Sequence, residues 1–112
     1  MFLGDILIRN GGGTPPYIFT APFPRGGLAA LFTAEVTQLS GSPTLIIAIQ
    51  TKNHDELAWY EMDTFTNITA TGRYSKDISS GIKQQVRFAA KLTGGSTGDF
   101  VDLRMNGISW RP

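Results

Sequence analysis

Cysteine is absent from the chain of 112 residues, so neither a disulfide framework nor a zinc site built on thiolates can form. This absence favours a reducing compartment, or a particle that is assembled inside a cell. Histidine is nearly absent as well, because His54 is the only one. A metal site or a proton-transfer site would have to recruit carboxylates from distant parts of the chain. We therefore expect neither a metal nor another cofactor.

An excess of charge of one sign is also missing. Lys and Arg together number 10, Asp and Glu number 9, and the net charge is +1. This balance predicts no nucleic-acid partner, because such partners select strongly basic surfaces. No apolar run approaches the roughly 20 residues that span a bilayer, so no membrane partner is expected. The first residues include Asp5 and no basic region, which is a poor match to a signal peptide.

Helical periodicity is lacking too, and a period of two replaces it. Residues 28–38 alternate, with Leu28, Ala30, Phe32, Ala34 and Val36 on one side, as a pleated strand requires. Residues 45–49 form a continuous aliphatic run, typical of a strand covered on both sides. Gly, Ser and Pro at 41–43 are turn residues. We predict two antiparallel strands, joined as a hairpin, at the heart of a β-sandwich.

Further strands are predicted over residues 2–9, 17–20, 59–66, 73–78, 82–93 and 99–105. The alternation in the last two points a set of apolar side chains inward: Val86, Phe88, Ala90, Leu92, Val101, Leu103 and Met105. Asn106 and Gly107 have the composition of a tight turn before a short tail. The expected fold is all-β, an antiparallel β-sandwich of about six to nine strands, jelly-roll-like or galactose-binding-like.

Residues 10–16, three glycines and two prolines among them, separate an N-terminal arm (1–16) from a single sandwich domain (17–112). Two alternatives stand for the first strand: it docks on another molecule, or it is an edge strand followed by a long loop. The tail that carries Trp110 and Arg111 either folds back onto the sandwich or is buried in a partner. The candidate partner-binding residues are Phe2, Leu3, Ile6, Ile8, Trp110 and Arg111.

The cluster His54, Asp55 and Glu56 is the only candidate for proton transfer or metal binding, and adjacent residues on a loop are usually solvated. No Gly-x-Ser-x-Gly elbow is present to supply a nucleophile. These patterns predict that the protein is not an enzyme. Aromatic residues near the cluster suggest an alternative, a sugar site in which aromatic rings stack on the sugar and polar groups bind its hydroxyls. That site would use Asn53, His54, Asp55, Trp59 and Tyr60.

Several short motifs carry a resemblance to a known family. They include Gly-Gly-Leu at 26–28, Gly-Ser-Pro-Thr-Leu at 41–45, Asp-Glu-Leu-Ala-Trp at 55–59 and Gly-Gly-Ser-Thr at 94–97. Over about residues 26–103 the chain resembles the small β-sandwich proteins encoded beside the head genes of tailed phages, prophages and phage-like particles. Those proteins act as capsid decoration or head-spike subunits, and the family pattern contains no catalytic residues.

The resemblance implies a structural virion protein on the capsid surface, assembled in the host cytoplasm. Its partners would be the major capsid protein or another virion protein, and further copies of itself in a homo-oligomer. The alternative function is a carbohydrate-binding module that recognises a cell-surface glycan.

Overall fold

The structure, a computed structural model, describes residues 4–9, 17–105 and 108–112, without the side chains of residues 4–6. The described part has ten β-strands and contains no helix long and apolar enough to cross a membrane. The all-β prediction is confirmed. The strands are β1 (Gly4–Arg9), β2 (Ile18–Phe19), β3 (Phe23–Pro24), β4 (Ala29–Ser40), β5 (Thr44–Lys52), β6 (Tyr60–Thr64), β7 (Gly72–Ile78), β8 (Gln85–Thr93), β9 (Phe100–Met105) and β10 (Ser109–Arg111).

The strands form two five-stranded sheets, A and B, in which every pairing is antiparallel. In sheet A, β4 pairs with β7 along one edge and with both β9 and β10 along the other, and β1 pairs with β9. In sheet B, β8 pairs with β5 on one side and with both β2 and β3 on the other, and β6 pairs with β5. β9 and β10 thus share one position in sheet A, and β2 and β3 share one in sheet B. The five strands of each sheet therefore fill four positions.

The order of these positions defines the topology. Sheet A reads β1, β9/β10, β4, β7, and sheet B reads β2/β3, β8, β5, β6. The chain passes to the opposite sheet between successive positions, except between β5 and β6, which are neighbours in sheet B. This is the strand order of a jelly roll, in which two Greek keys are wrapped into a sandwich. The predicted jelly-roll-like sandwich is therefore confirmed.

The core lies between the sheets and follows the alternation in the sequence. Phe32 of β4 is fully buried, and its ring meets Phe88 of β8 edge-on at 5.7 Å, which joins the two sheets. The predicted inward residues are buried: Ala30, Phe32, Ala34, Val36, Val86, Phe88, Ala90, Leu92, Val101, Leu103 and Met105. Leu28 is the exception and is exposed.

One connection differs from the predicted hairpin. The strands within residues 28–51 are not a hairpin, since β4 belongs to sheet A and β5 to sheet B. A period of two fixes which face of a strand is buried, but not which strand lies beside it. Asn106 and Gly107 lie outside the described residues. The prediction of a tight turn there is therefore not tested, while β9 and β10 on either side of it run in the same direction along one edge of β4.

Both ends of the chain contact its own sandwich. β1 is an edge strand of sheet A, and Ile8 is 3% exposed within the core. The edge-strand alternative describes this position, while Phe2, Leu3 and residues 10–16, as well as the side chain of Ile6, lie outside the described part. At the other end, the ring of Trp110 lies 6.0 Å from that of Phe32. Arg111 forms an ion pair with Asp77.

Candidate functional site

The outer surface of sheet B carries aromatic rings interleaved with cations. On β8 the core residues Val86, Phe88, Ala90 and Leu92 alternate with Arg87 and Lys91, so the two cations project away from the core. Phe19 pairs with Ala89 of β8 and is 47% exposed. We call this surface the cation–aromatic face and define it by Tyr17, Phe19, Lys52, Trp59, Arg87 and Lys91.

Arg87 is the centre of this face. Its guanidinium carbon lies 3.9 Å from the ring centroid of Phe19 and 4.4 Å from that of Trp59. Its Nε donates a hydrogen bond of 2.8 Å to Oε1 of Gln50, which is its partner in the β5–β8 register. Two rings and one amide therefore fix the plane of the guanidinium group, which is otherwise a flexible side chain.

The flanking cations have similar neighbours. Nζ of Lys91 lies 4.5 Å from the ring centroid of Tyr17, and Nζ of Lys52 lies 5.4 Å from that of Trp59. Among the described residues, no carboxylate forms an ion pair with Arg87, Lys91 or Lys52. Burial lowers the pKa of Arg87, because the rings displace water from the charged group. The face is therefore positively charged and only partly hydrated.

A second feature lies where the loops after β5 and before β8 meet. Asn53, His54 and Asp55 line a shallow, open cleft of about 500 Å³ together with Arg25 and Gln84. The loops are joined by reciprocal amide contacts: the backbone N–H of His54 donates to Oε1 of Gln84 at 2.8 Å, and that of Gln84 donates to Oδ1 of Asn53 at 3.3 Å. The side-chain carbonyl oxygens of Asn53 and Gln84 thus each accept a hydrogen bond, and their side-chain NH2 groups have no partner among the described residues.

Glu56 fastens the same two loops from the other side. Its carboxylate accepts a hydrogen bond of 2.8 Å from the backbone N–H of Asn53, and Nζ of Lys83 lies 3.0 Å from both of its oxygens. These contacts lower the pKa of Glu56, the backbone hydrogen bond from Asn53 having the larger effect and the hydrogen bond from Lys83 the next. Glu56 therefore holds the cleft in shape through contacts within the loops.

The residues predicted for a sugar site do not all converge. Asn53, His54 and Asp55 share the cleft, whereas Trp59 packs against Arg87 on the cation–aromatic face. Tyr60 is exposed and lies near Nζ of Lys83, at 5.6 Å from ring centroid to nitrogen. In the parts of the chain that the structure describes, no group of three His, Asp or Glu side chains is placed to hold a metal ion.

Of the residues that define the face, only Trp59 was predicted as a site residue, and those missed are Tyr17, Phe19, Lys52, Arg87 and Lys91. The alternation in β8 does reveal that Arg87 and Lys91 point outward. It does not reveal that Phe19 and Trp59, which both precede Arg87 by many residues, would lie against it. That contact depends on β2 pairing with β8, and no local pattern encodes such a pairing.

Comparison of the chain with protein-family models, with curated proteins and with solved structures gives no significant match. The resemblance to phage decoration proteins therefore depends on the sequence motifs alone.

Proposed function

We propose that this protein is a non-enzymatic structural subunit of a virion, a capsid decoration or head-spike protein that binds a neighbouring virion protein through the cation–aromatic face. The observation that carries the proposal is the pair of aromatic rings against Arg87 on the outside of sheet B, of which that of Phe19 is exposed and that of Trp59 is half-buried. Aromatic residues and arginine are enriched at the centres of protein interfaces. The resemblance to small head proteins supports a virion as the setting.

The remaining geometry is in keeping with a binding role. Apolar side chains fill the space between the sheets, so a large partner has access only to outer faces, edges and loops. Among the residues that the structure describes, the groups with a shifted pKa are Glu56 and Arg87, which lie in a loop and on a sheet face rather than together in one cavity. Catalytic groups would have to converge on a common point.

Cosedimentation with capsids tests the proposal. The capsids are assembled from the major capsid protein encoded in the same genome. We expect the wild-type protein to pellet with them, and Phe19→Ala to remain in the supernatant because it removes the exposed ring over Arg87. Leu7→Ala is the matched control, since Leu7 is 51% exposed on the opposite sheet and Phe19 is 47% exposed. Failure of the wild-type protein to pellet, or equal loss in both variants, would contradict the proposal.

Point variants are preferable to removal of residues 1–16. Such a truncation also removes β1, which covers the edge of β9 and places Ile8 in the core. Loss of binding by the truncated chain would then not distinguish a lost contact from a damaged sheet. The homo-oligomer is checked separately, by light scattering, where we expect a multiple of the monomer mass.

A second candidate function is carbohydrate binding in the cleft. The observation that favours it concerns the side-chain amides of Asn53 and Gln84. Their carbonyl oxygens each accept a hydrogen bond, and their NH2 groups have no partner among the described residues. Such groups can donate to sugar hydroxyls, and Asp55 can accept from them. A glycan array with the wild-type protein, repeated with Asp55→Ala, tests it. Absence of hits, or hits that Asp55→Ala leaves unchanged, would exclude this site.

A further inference from the structure

The terminal amino groups of Arg87 are the feature from which more can be inferred. Its Nε donates to Gln50, and its guanidinium carbon lies over the rings of Phe19 and Trp59. Within residues 4–9, 17–105 and 108–112, Nη1 and Nη2 have no hydrogen-bond partner. A guanidinium group held in this way presents a rigid two-pronged donor, and the geometry of that donor matches a carboxylate or a phosphate.

Charge complementarity favours an anionic occupant. Lys91 and Lys52 flank Arg87, and neither has an ion-pair partner among the described residues. Nζ of Lys52 does donate a hydrogen bond of 3.2 Å to the backbone carbonyl oxygen of Glu56, so Lys91 is the better placed of the two to bind an anion. Glu61, which lies opposite Gln50 on β6, is the carboxylate that the register places in this row, and it forms no ion pair with Arg87. An incoming anion would thus compensate a cation that the aromatic rings have partly removed from water.

The cations that lie against the aromatic rings favour one class of anion over the others. Each already has a cation against it: Arg87 contacts Phe19 and Trp59, and Lys91 contacts Tyr17. Nucleobases and pyranose rings need open ring faces on which to stack, and the cations reduce that area. Carboxylates on a polypeptide need only the donors at the edge of the guanidinium group and the two ammonium groups.

The distance between Arg87 and Lys91 indicates the form of the anionic partner. Arg87 and Lys91 are four residues apart on β8, which corresponds to about 13 Å along a strand. In an extended polypeptide, side chains at positions i and i+4 are separated by the same distance and lie on the same face. A segment with acidic residues at i and i+4 can therefore meet both cations at once.

We propose that the cation–aromatic face binds an extended acidic segment of a partner protein, with one carboxylate held by the two terminal amino groups of Arg87 and a second, four residues away, by Lys91. This inference rests on the proposed function, since it specifies the chemistry of the virion partner that the face would bind.

The test uses a fluorescein-labelled peptide of about 12 residues in extended form, with Glu at i and i+4, and the full-length protein. Fluorescence anisotropy should show binding that weakens about tenfold or more when both Glu are replaced by Gln, or when Arg87→Gln is introduced. Arg87→Lys should fall between, because it keeps the charge and loses the fork. Arg73→Gln, on the outer face of sheet A, is the control and should bind as the wild type does.

The contrary outcomes are equally definite. Equal affinity for the Glu and Gln peptides, or unchanged binding by Arg87→Gln, overturns the inference. Tighter binding of oligothymidylate or of polygalacturonate than of the Glu peptide overturns it in favour of a nucleic acid or an acidic glycan. Should Arg87→Gln fail to fold, Lys91→Gln leaves the Arg87 stack in place and must still weaken binding of the Glu peptide.

Capsid competition separates this inference from the proposed function. If the wild-type protein pellets with capsids and the Glu peptide neither binds nor competes, the inference fails and the proposed function stands. If the Glu peptide binds and capsids do not, the proposed function fails and the anion-binding face stands.

Discussion

Thr51 offers a sharp test of how the loop around the cleft is held. It is the buried polar residue of β5, with 0% of its surface exposed. Its hydroxyl donates a hydrogen bond of 2.7 Å to the carbonyl oxygen of Gln85 and accepts one of 2.9 Å from the backbone N–H of Lys83. Thr51→Val keeps the volume and the strand preference of the side chain but removes both bonds.

The expected cost follows from the groups left behind. An unsatisfied buried donor or acceptor costs about 1–3 kcal/mol. Thr51→Val leaves one of each, and both are only part-buried, so we expect the free energy of unfolding to fall by about 2 kcal/mol, the lower end of the range for two groups. Thr51→Ser is the matched control, because it keeps both hydrogen bonds and loses one buried methyl group, at about 1 kcal/mol. The order is the reverse of what side-chain volume alone predicts.

Urea denaturation measures the difference. With a slope of about 1.5 kcal/mol per molar urea, Thr51→Val should lower the unfolding midpoint by about 1.3 M, and Thr51→Ser by roughly half as much. If the valine variant is as stable as the wild type, or more stable than the serine variant, then the two hydrogen bonds of the hydroxyl do not determine the stability of this position.

Three further predictions concern the core, the C-terminal strand and the loop. Phe32→Ala should lower the free energy of unfolding by about 3–5 kcal/mol, since it empties a fully buried site between the sheets; a loss below 1 kcal/mol in urea denaturation would contradict the described core. Gly26→Ala should displace the ring of Trp110, because a Cβ atom at Gly26 would lie 2.7 Å from it; an unchanged tryptophan emission spectrum would count against that packing. The pKa of Glu56 in the folded state is below 4.5, so its contribution to stability is complete at neutral pH and is lost as the pH falls through that lowered pKa. Glu56→Gln should therefore be less stable than the wild type at pH 7 and equally stable in strong acid, and a difference in melting temperature that persists at the lowest pH would refute the assignment.

The sequence was sufficient for the fold class and for the inward faces of the long strands. The alternation in β4, β8 and β9 identified the core-facing side chains of those strands, because a pleated strand with one face in the core and one face in solvent must alternate. The sequence pattern did not predict how the strands are connected. Residues 41–43 have the composition of a hairpin turn, yet they carry the chain from one sheet to the other. Turn composition marks where a chain changes direction, but it does not specify the strand beside which the chain continues.

The candidate sites likewise differ in how far the sequence predicts them. Asn53, His54 and Asp55 are adjacent in sequence, and their shared cleft could be predicted from that adjacency. The place of Trp59 on the cation–aromatic face could not be predicted, because its ring packs against Arg87, which lies on β8, two strands further along the chain.

The sequence by itself thus determined that this chain is a β-sandwich and which faces of its long strands point into the core, since both follow from local alternation and from the lack of a helical period. Only the tertiary structure decided that Phe19, Trp59 and Arg87 form one surface, because sheet pairing between distant strands brings them together. Pairing is fixed by the burial of the whole core at once, and no short stretch of sequence carries that information.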